Sequence, residues 1–150
     1  MSFAAVTGRA VRWGVMGTGT IAHDFVKVLQ ALPGCEVAAV GSRSDEGAAR
    51  FGDAHNISGR HGSYEALARD DSLDIVYVAT PSMRHVDDSL LCLESGRHVL
   101  CEKAMAPSLT EAKKVVDKAV AEDRFFLHGV WSRFFPAMSE IRKTLQSGII

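Results

Sequence analysis

The fold of this chain is decided by the stretch Arg12-Trp-Gly-Val-Met-Gly-Thr-Gly-Thr-Ile-Ala22. The stretch begins as an apolar run, passes through two glycines and enters a segment whose apolar residues recur at helical spacing. Its small residues follow the pattern Gly17-x-Gly19-x-x-Ala22. Between a strand and a helix, this pattern is the fingerprint of a turn that binds the diphosphate of a dinucleotide. The sequence therefore predicts a nucleotide-binding domain that opens with a strand, a glycine turn and a helix.

The small residues of this turn have separate physical roles. Gly17 lets the backbone leave the strand in a tight turn, and Gly19, which has no Cβ, lets a diphosphate approach the main chain. Ala22 allows the helix to pack closely on its strand. The free N–H groups and the positive dipole end at the helix start then face the phosphates. The predicted cofactor-binding residues of this turn are Gly17, Thr18, Gly19, Thr20 and Ile21.

Apolar runs and helical patterns alternate along the rest of the chain. The run Leu73–Ala79 is largely β-branched and has little polar alternation, which is typical of a strand buried on both faces of a parallel sheet. Alternating strands and helices indicate right-handed βαβ units and hence a doubly wound, mostly parallel sheet of the Rossmann type. The other predicted strands are Val11–Met16, Val37–Val40, a short third strand between residues 52 and 62, His98–Cys101 and Phe125–His128.

The helix patterns predict both caps and buried faces. Asp45 is predicted to cap a short helix that carries Phe51, and Ser63 and Ser108 are predicted to cap two later helices. In the first helix, Thr20–Leu32, the predicted buried face consists of Ile21, Phe25, Val28, Leu29 and Leu32. In the helix after Ser108, it consists of Leu109, Ala112, Val115, Val116, Ala119 and Val120.

Length and composition restrict the class of protein. The chain has 150 residues and a net charge of −1, and it lacks the basic cluster that favours nucleic acid. No apolar run reaches the ~18 residues of a membrane span, and the amino terminus does not resemble a signal peptide. Three widely spaced cysteines without a C-x-x-C motif predict reduced thiols in the cytoplasm, and the histidines lack the spacing of a metal site. We expect residues 1–10 to form a flexible lead and residues 11–150 to form one domain, cut before a second.

The residues after the second predicted strand point to the cofactor. A carboxylate at that position would bind the adenosine ribose and repel a 2′-phosphate. The chain instead has Ser42 and Arg43 there, with Ser44 next. A guanidinium fork and a hydroxyl suit a phosphate, so the sequence favours NADP over NAD. Asp45 follows closely and leaves binding of a free ribose open.

Polar residues also follow the fourth and fifth predicted strands, where the nicotinamide half of a dinucleotide would lie. Thr80 and Pro81 are expected to shape the wall of the crevice, and His85 is a candidate cofactor contact whose alternative is a surface or capping role. Lys103 is the candidate catalytic residue, expected to be partly buried and to relay a proton beside the nicotinamide. Glu102 is expected to orient it, and the alternative for Lys103 is a solvated lysine.

These motifs together resemble the glucose–fructose oxidoreductase and inositol dehydrogenase (Gfo/Idh/MocA) family. The resemblance spans nearly all of residues 11–150, and its most selective motif is Trp131-Ser-Arg-Phe-Phe-Pro136, which resembles the dihydrodiol dehydrogenase and D-xylose 1-dehydrogenase branch. It implies that Lys103 assists proton transfer and that Arg43 binds the 2′-phosphate of NADP. The chain departs from the family pattern at Ala104, where the family has proline, and at Gly47, where a second basic residue is frequent.

The resemblance implies the NADP-binding half of an oxidoreductase that transfers hydride between NADP and a sugar or trans-dihydrodiol. In the family a second α/β domain, which we do not find in the sequence, supplies the substrate pocket and the dimer face. This half alone is therefore expected to be inactive or weakly active. Two alternatives stay open: a non-catalytic, cofactor-sensing module and a truncated product with a structural role only.

Overall fold

The structure, a computed structural model, describes residues 8–148. Its strands are β1 (Val11–Met16), β2 (Cys35–Gly41), β3 (Gly59–His61), β4 (Ile75–Val78), β5 (His98–Glu102) and β6 (Phe126–Gly129). Its helices are α1 (Thr20–Ala31), α2 (Asp45–His55), α3 (Tyr64–Ala68), α4 (His85–Glu94), α5 (Leu109–Ala121) and α6 (Pro136–Gln146). Short 3₁₀ turns occupy Ser82–Arg84 and Trp131–Phe134. Most of the predicted lead, residues 1–7, lies outside the described residues.

The six strands form one sheet in the order β3-β2-β1-β4-β5-β6, and every neighbouring pair is parallel. From the central strand β1 the chain winds outward to β3, returns to β4 and winds outward to β6. This confirms the predicted doubly wound sheet. The order reverses between β1 and β4, so their carboxyl ends border the crevice in which such sheets bind ligands. Within residues 8–148, none of the helices has the length and apolar character that a membrane span requires.

The core lies on both faces of the sheet. On one face Met16, Val78 and Val99 pack against α3, α4 and α5, and on the other Val15, Val40 and Tyr77 pack against α1 and α2. All four residues of β4 are buried. This confirms the predicted reason for the continuous apolar run in the sequence, since helices cover the side chains on both faces of β4.

The predicted buried faces of two helices were partly wrong. In α1 the buried residues are Ala22, Val26 and Leu29, which have the i, i+4, i+7 spacing of a single face. Fully buried Ala22 brings α1 close to the sheet, and this contact sets the rotation of the helix. In α5 the buried residues are Val115 and Ala119. The exposed residues of the two predicted faces are Ile21, Val28, Leu32, Leu109, Val116 and Val120.

Two of the three predicted caps are confirmed. The hydroxyl oxygens of Ser63 and Ser108 accept hydrogen bonds from the backbone N–H groups three residues later, at 3.1 and 3.2 Å. The prediction for α2 was wrong by one residue, because Ser44 Oγ accepts the N–H of Gly47 at 3.1 Å and Asp45 is the first helical residue. This helix also runs through Gly52, at the start of the segment in which the short third strand was predicted, and its C-cap Asn56 has the left-handed conformation.

A histidine pair between α1 and α2 makes stability depend on pH. His23 Nδ1 lies 2.6 Å from His55 Nε2, and burial together with the His23 charge lowers the pKa of His55. The folded chain therefore favours neutral His55, so its stabilising contribution is complete above pH ~6.5 and is lost as the pH falls through the lowered pKa. We expect the free energy of unfolding, measured in urea, to decrease from pH 8 to pH 5. His55→Gln should reduce that decrease, and an unchanged pH dependence would contradict the assignment.

Candidate cofactor-binding site

A cleft of about 460 Å³ lies at the carboxyl ends of β1, β2 and β4. It coincides with the point at which the strand order reverses, as expected for a ligand site in this fold. Tyr64 belongs to its lining but was not among the predicted site residues. The lining residues are Gly17, Thr18, Gly19, Ser42, Arg43, Tyr64, Ala79, Thr80 and Pro81.

The two glycines of the opening turn serve different purposes. Gly17 has a φ of +105°, and a Cβ at this residue would lie 2.8 Å from the carbonyl oxygen of Ala79. Gly19 has an ordinary φ of −80°, and a Cβ there would meet no atom within 4 Å. Gly17 is therefore required by the packing of β1 against the end of β4. Gly19 leaves free space beside the backbone, which is what a bound diphosphate needs.

The first turn of α1 is open to an anion. No side chain caps this helix, and its first turn carries no acidic residue. Thr20 and Ile21, the first two helical residues, are exposed at this end and do not line the cleft itself. Backbone N–H groups in a first helical turn have no partner within the helix, and the helix dipole adds positive potential. The turn therefore presents donors and a favourable field to a phosphate group.

Ser42 and Arg43 form the end of the cleft that follows β2. Ser42 is buried, and its backbone N–H donates to the carbonyl oxygen of His61 at 3.0 Å, whereas Arg43 is exposed. A Cβ at Gly47 would collide with the hydroxyl oxygen of Ser42. The absence of a basic side chain at residue 47 therefore has a local packing reason. Arg43 is the cleft-lining cation at this end of the described structure.

Tyr64 is the polar lining residue that the sequence analysis missed. It is the first residue of α3 and is 8% exposed. Burial, followed by the charge of Asp88, raises the pKa of Tyr64, so its phenol is a hydrogen-bond donor at neutral pH. The guanidinium carbon of Arg84 lies 5.5 Å from the centre of its ring. The available signal was its position just after β3, but a three-residue strand gives almost no pattern in the sequence.

His85 has a supporting position. The side chain is 1% exposed, its Nδ1 lies 2.7 Å from the carbonyl oxygen of Ala104, and its Nε2 lies 2.8 Å from that of Thr80. Both ring nitrogens are thus engaged with the backbone of the loops that follow β4 and β5. The first turn of α4 directs the ring between those loops, and His85 is not part of the cleft lining, so its contact with a cofactor stays a prediction.

Glu102 and Lys103 end β5 in different environments. One carboxylate oxygen of Glu102 accepts the hydroxyl of Tyr77 at 2.8 Å, and the other accepts the backbone N–H of Lys103 at 3.1 Å. Burial and this carboxylate raise the pKa of Tyr77, whose ring stacks on Phe25. Glu102 therefore fixes the end of β5 and contacts the main chain of Lys103. The Lys103–Ala104 peptide is cis.

The Lys103 side chain is exposed in the described structure. The expected partial burial was wrong, because the residues after β5 leave the sheet as a loop before α5 begins and do not cover the ammonium group. Neither Glu102 nor Lys103 lines the cleft.

Comparison with known proteins identifies the family. The profile of the GFO_IDH_MocA family, an oxidoreductase family with an NAD-binding Rossmann fold, matches residues 11–129. The chain belongs to this family. This confirms the resemblance found in the sequence, and with it an oxidoreductase NAD(P)-binding domain.

Individual members of the family are also similar to the chain. Trans-1,2-dihydrobenzene-1,2-diol dehydrogenase of Mus musculus is 43% identical over 143 residues, and the Homo sapiens protein is 38% identical. Each match covers 94% of this chain and 43% of the relative, so the chain spans less than half of their length. The crystal structure of KijD10, a 3-ketoreductase from Actinomadura kijaniata in complex with TDP-benzene and NADP, has a TM-score of 0.86 and 28% identity. That match covers 95% of this chain and 45% of KijD10.

Proposed function

We propose that this chain is the NADP(H)-binding domain of a dehydrogenase that transfers hydride between NADP and a trans-dihydrodiol or a sugar. One observation carries the proposal: Gly19, which has free space beside its backbone, and Arg43, which is exposed, line the same cleft. The first suits a diphosphate and the second suits a ribose 2′-phosphate. The dihydrodiol dehydrogenases, and KijD10 with its bound NADP, support this choice.

The end of β2 favours NADP over NAD. A carboxylate directly after this strand would pair with the ribose hydroxyls and repel a phosphate, but Ser42 and Arg43 stand there. Arg43 offers parallel N–H donors to phosphate oxygens, and the Tyr64 phenol adds a neutral donor in the same cleft. Asp45 and Glu46 in the first turn of α2 oppose a phosphate. Glu46 is paired with Arg50 at 2.6 Å, which offsets its charge.

Lys103 is the proposed catalytic residue. Bound NADP supplies the hydride acceptor, and an exposed ammonium group at the end of β5 would hold or move the proton of the substrate hydroxyl. Glu102 holds the Lys103 backbone, and His85 holds the loop at Ala104. Residues that match the remaining length of the relatives would complete the substrate pocket and a dimer face. A cytoplasmic location is part of the same proposal.

Titration with reduced cofactors tests this function. We expect the 150-residue chain to bind NADPH at least about tenfold more tightly than NADH, the ratio that one charge-assisted phosphate contact supplies. Calorimetry gives both constants. Tighter binding of NADH would remove Arg43 from its role, and no binding of either would favour a structural role only. With NADP and a dihydrodiol or D-xylose, turnover near a typical ~10 s⁻¹ would contradict the need for further pocket residues.

Chemical labelling tests the position of Lys103. If its ammonium group lies beside the bound nicotinamide, saturating NADPH should slow its acetylation by acetic anhydride about threefold or more, because the cofactor covers the amine. Lys113 on α5 is also exposed and provides the internal control, with an unchanged rate. Mass spectrometry of peptides measures both rates. NADPH binding without protection of Lys103 would favour the non-catalytic, cofactor-sensing alternative.

A further inference from the structure

Asp88 is a fully buried carboxylate in the first turn of α4. Its Oδ2 accepts a hydrogen bond from the hydroxyl of Thr80 at 2.6 Å. The guanidinium of Arg84 donates to the same carboxylate, with Nη2 2.6 Å from Oδ1 and Nε 3.3 Å from Oδ2. A buried carboxylate is stable only when it is well paired, so these donors are held in defined positions.

One partner of Asp88 lines the cofactor cleft, and the other contacts a residue that lines it. Thr80 lines the cleft, and its carbonyl oxygen is engaged by His85 Nε2, so that both its hydroxyl and its carbonyl are fixed. Arg84 places its guanidinium over the ring of Tyr64, which lines the cleft as well. One carboxylate therefore holds two parts of the lining that come from separate regions of the chain.

The negative charge of Asp88 does not by itself favour binding of the cofactor. NADP(H) carries several negative charges, and a carboxylate close to its cleft repels it. Charge alone would therefore make removal of Asp88 strengthen cofactor binding. A benefit from Asp88 must come instead from the geometry of Thr80 and Arg84.

We propose that Asp88 is a positioning residue for NADP(H) binding. It holds Thr80 directly and Tyr64 through Arg84, and it does not touch the cofactor. This inference rests on the proposed NADP(H)-binding function. This role explains why a carboxylate occupies a fully buried position of α4, where an apolar side chain would otherwise pack.

Two neighbouring aspartates provide a matched test. Asp88→Asn and Asp87→Asn remove the same charge from the same helix, but Asp87 is exposed. We expect Asp88→Asn to weaken NADPH binding about tenfold, because the hydrogen bonds to an ionised acceptor are weakened or lost. Asp87→Asn should leave the Kd unchanged or slightly lower it. Equal or tighter binding by Asp88→Asn would overturn the proposal.

Calorimetry separates positioning from stability. A purely structural loss lowers the fraction of protein competent to bind, which reduces the stoichiometry and leaves the Kd of the remainder unchanged. Positioning raises the Kd at full stoichiometry. If the wild-type chain binds neither NADPH nor NADH, the proposed function itself fails. If the wild-type chain binds NADPH and Asp88→Asn binds it equally well, only the positioning role fails.

A second variant covers the case in which Asp88→Asn does not fold. Arg84→Lys retains the positive charge but not the two-nitrogen fork that joins Asp88 to the Tyr64 ring. The Arg84 side chain is 46% exposed, so the replacement leaves the core intact. We expect NADPH binding to weaken about threefold or more, since the fork is lost while the charge is kept. An unchanged Kd would contradict the connection through Arg84.

Discussion

Gly19→Leu is expected to abolish measurable NADPH binding without unfolding the chain. The new side chain would occupy the space beside the backbone that is empty in the protein and that the diphosphate needs. We expect the Kd for NADPH to rise at least about 100-fold, equivalent to about 2.7 kcal/mol. Because Gly19 has an ordinary φ and no nearby atoms, the free energy of unfolding should change by less than about 1 kcal/mol.

Gly17→Ala is expected to destabilise the fold, whereas Gly19→Leu is expected to impair cofactor binding. Its Cβ would lie 2.8 Å from the Ala79 carbonyl oxygen, and the residue would have to keep a φ of +105°. We expect the free energy of unfolding to fall by about 2–4 kcal/mol from steric overlap and backbone strain. Urea unfolding followed by circular dichroism measures both variants. Normal NADPH affinity in folded Gly19→Leu would show that no diphosphate lies at this turn.

Arg43→Gln is expected to remove the proposed preference for the phosphorylated cofactor. A charge-assisted hydrogen bond is worth about 1.5–3 kcal/mol, so NADPH should bind about 10–100-fold more weakly. NADH lacks the 2′-phosphate, and its Kd should change by less than about twofold. The two titrations together distinguish a lost phosphate contact from a general loss of binding.

Arg69→Gln is the control for net charge. Arg69 is exposed just after α3 and does not line the cleft. The substitution makes the same chemical change as Arg43→Gln outside the cleft and should leave the ratio of NADPH to NADH affinity nearly unchanged. Loss of that ratio in Arg69→Gln as well would indicate a diffuse charge effect, and the specific role of Arg43 would then be rejected.

Local patterns predicted the elements well because those elements depend on neighbouring residues. The strand–turn–helix at Gly17, the buried run of β4 and the caps at Ser63 and Ser108 all agree with the structure. Each depends on backbone sterics, side-chain caps or a continuous apolar run within a few residues. The β-α alternation then restricted the sheet to one handedness, and the strand order follows the expected doubly wound arrangement.

Long-range contacts were less accessible to the sequence. The orientation of α1 depends on the close approach of Ala22 to the sheet, so Ile21 and Val28 are exposed although they are apolar. Tyr64 joins the cleft only because β3 pairs with β2 at the edge of the sheet. The His85 ring contacts the backbone of two loops, and its contact with the Ala104 carbonyl oxygen joins residues that are 19 positions apart in the chain.

The sequence by itself determined the class of fold and the chemistry of the opening turn. The alternating apolar patterns and the two glycines depend on steric rules between neighbouring residues, which apply whatever the tertiary contacts are. Only the tertiary structure decided which side chains meet at the cleft, how Asp88 joins Thr80 to Tyr64 through Arg84, and that Lys103 is exposed. Those outcomes depend on distances between segments far apart in the chain, which packing of the whole sheet and its helices sets.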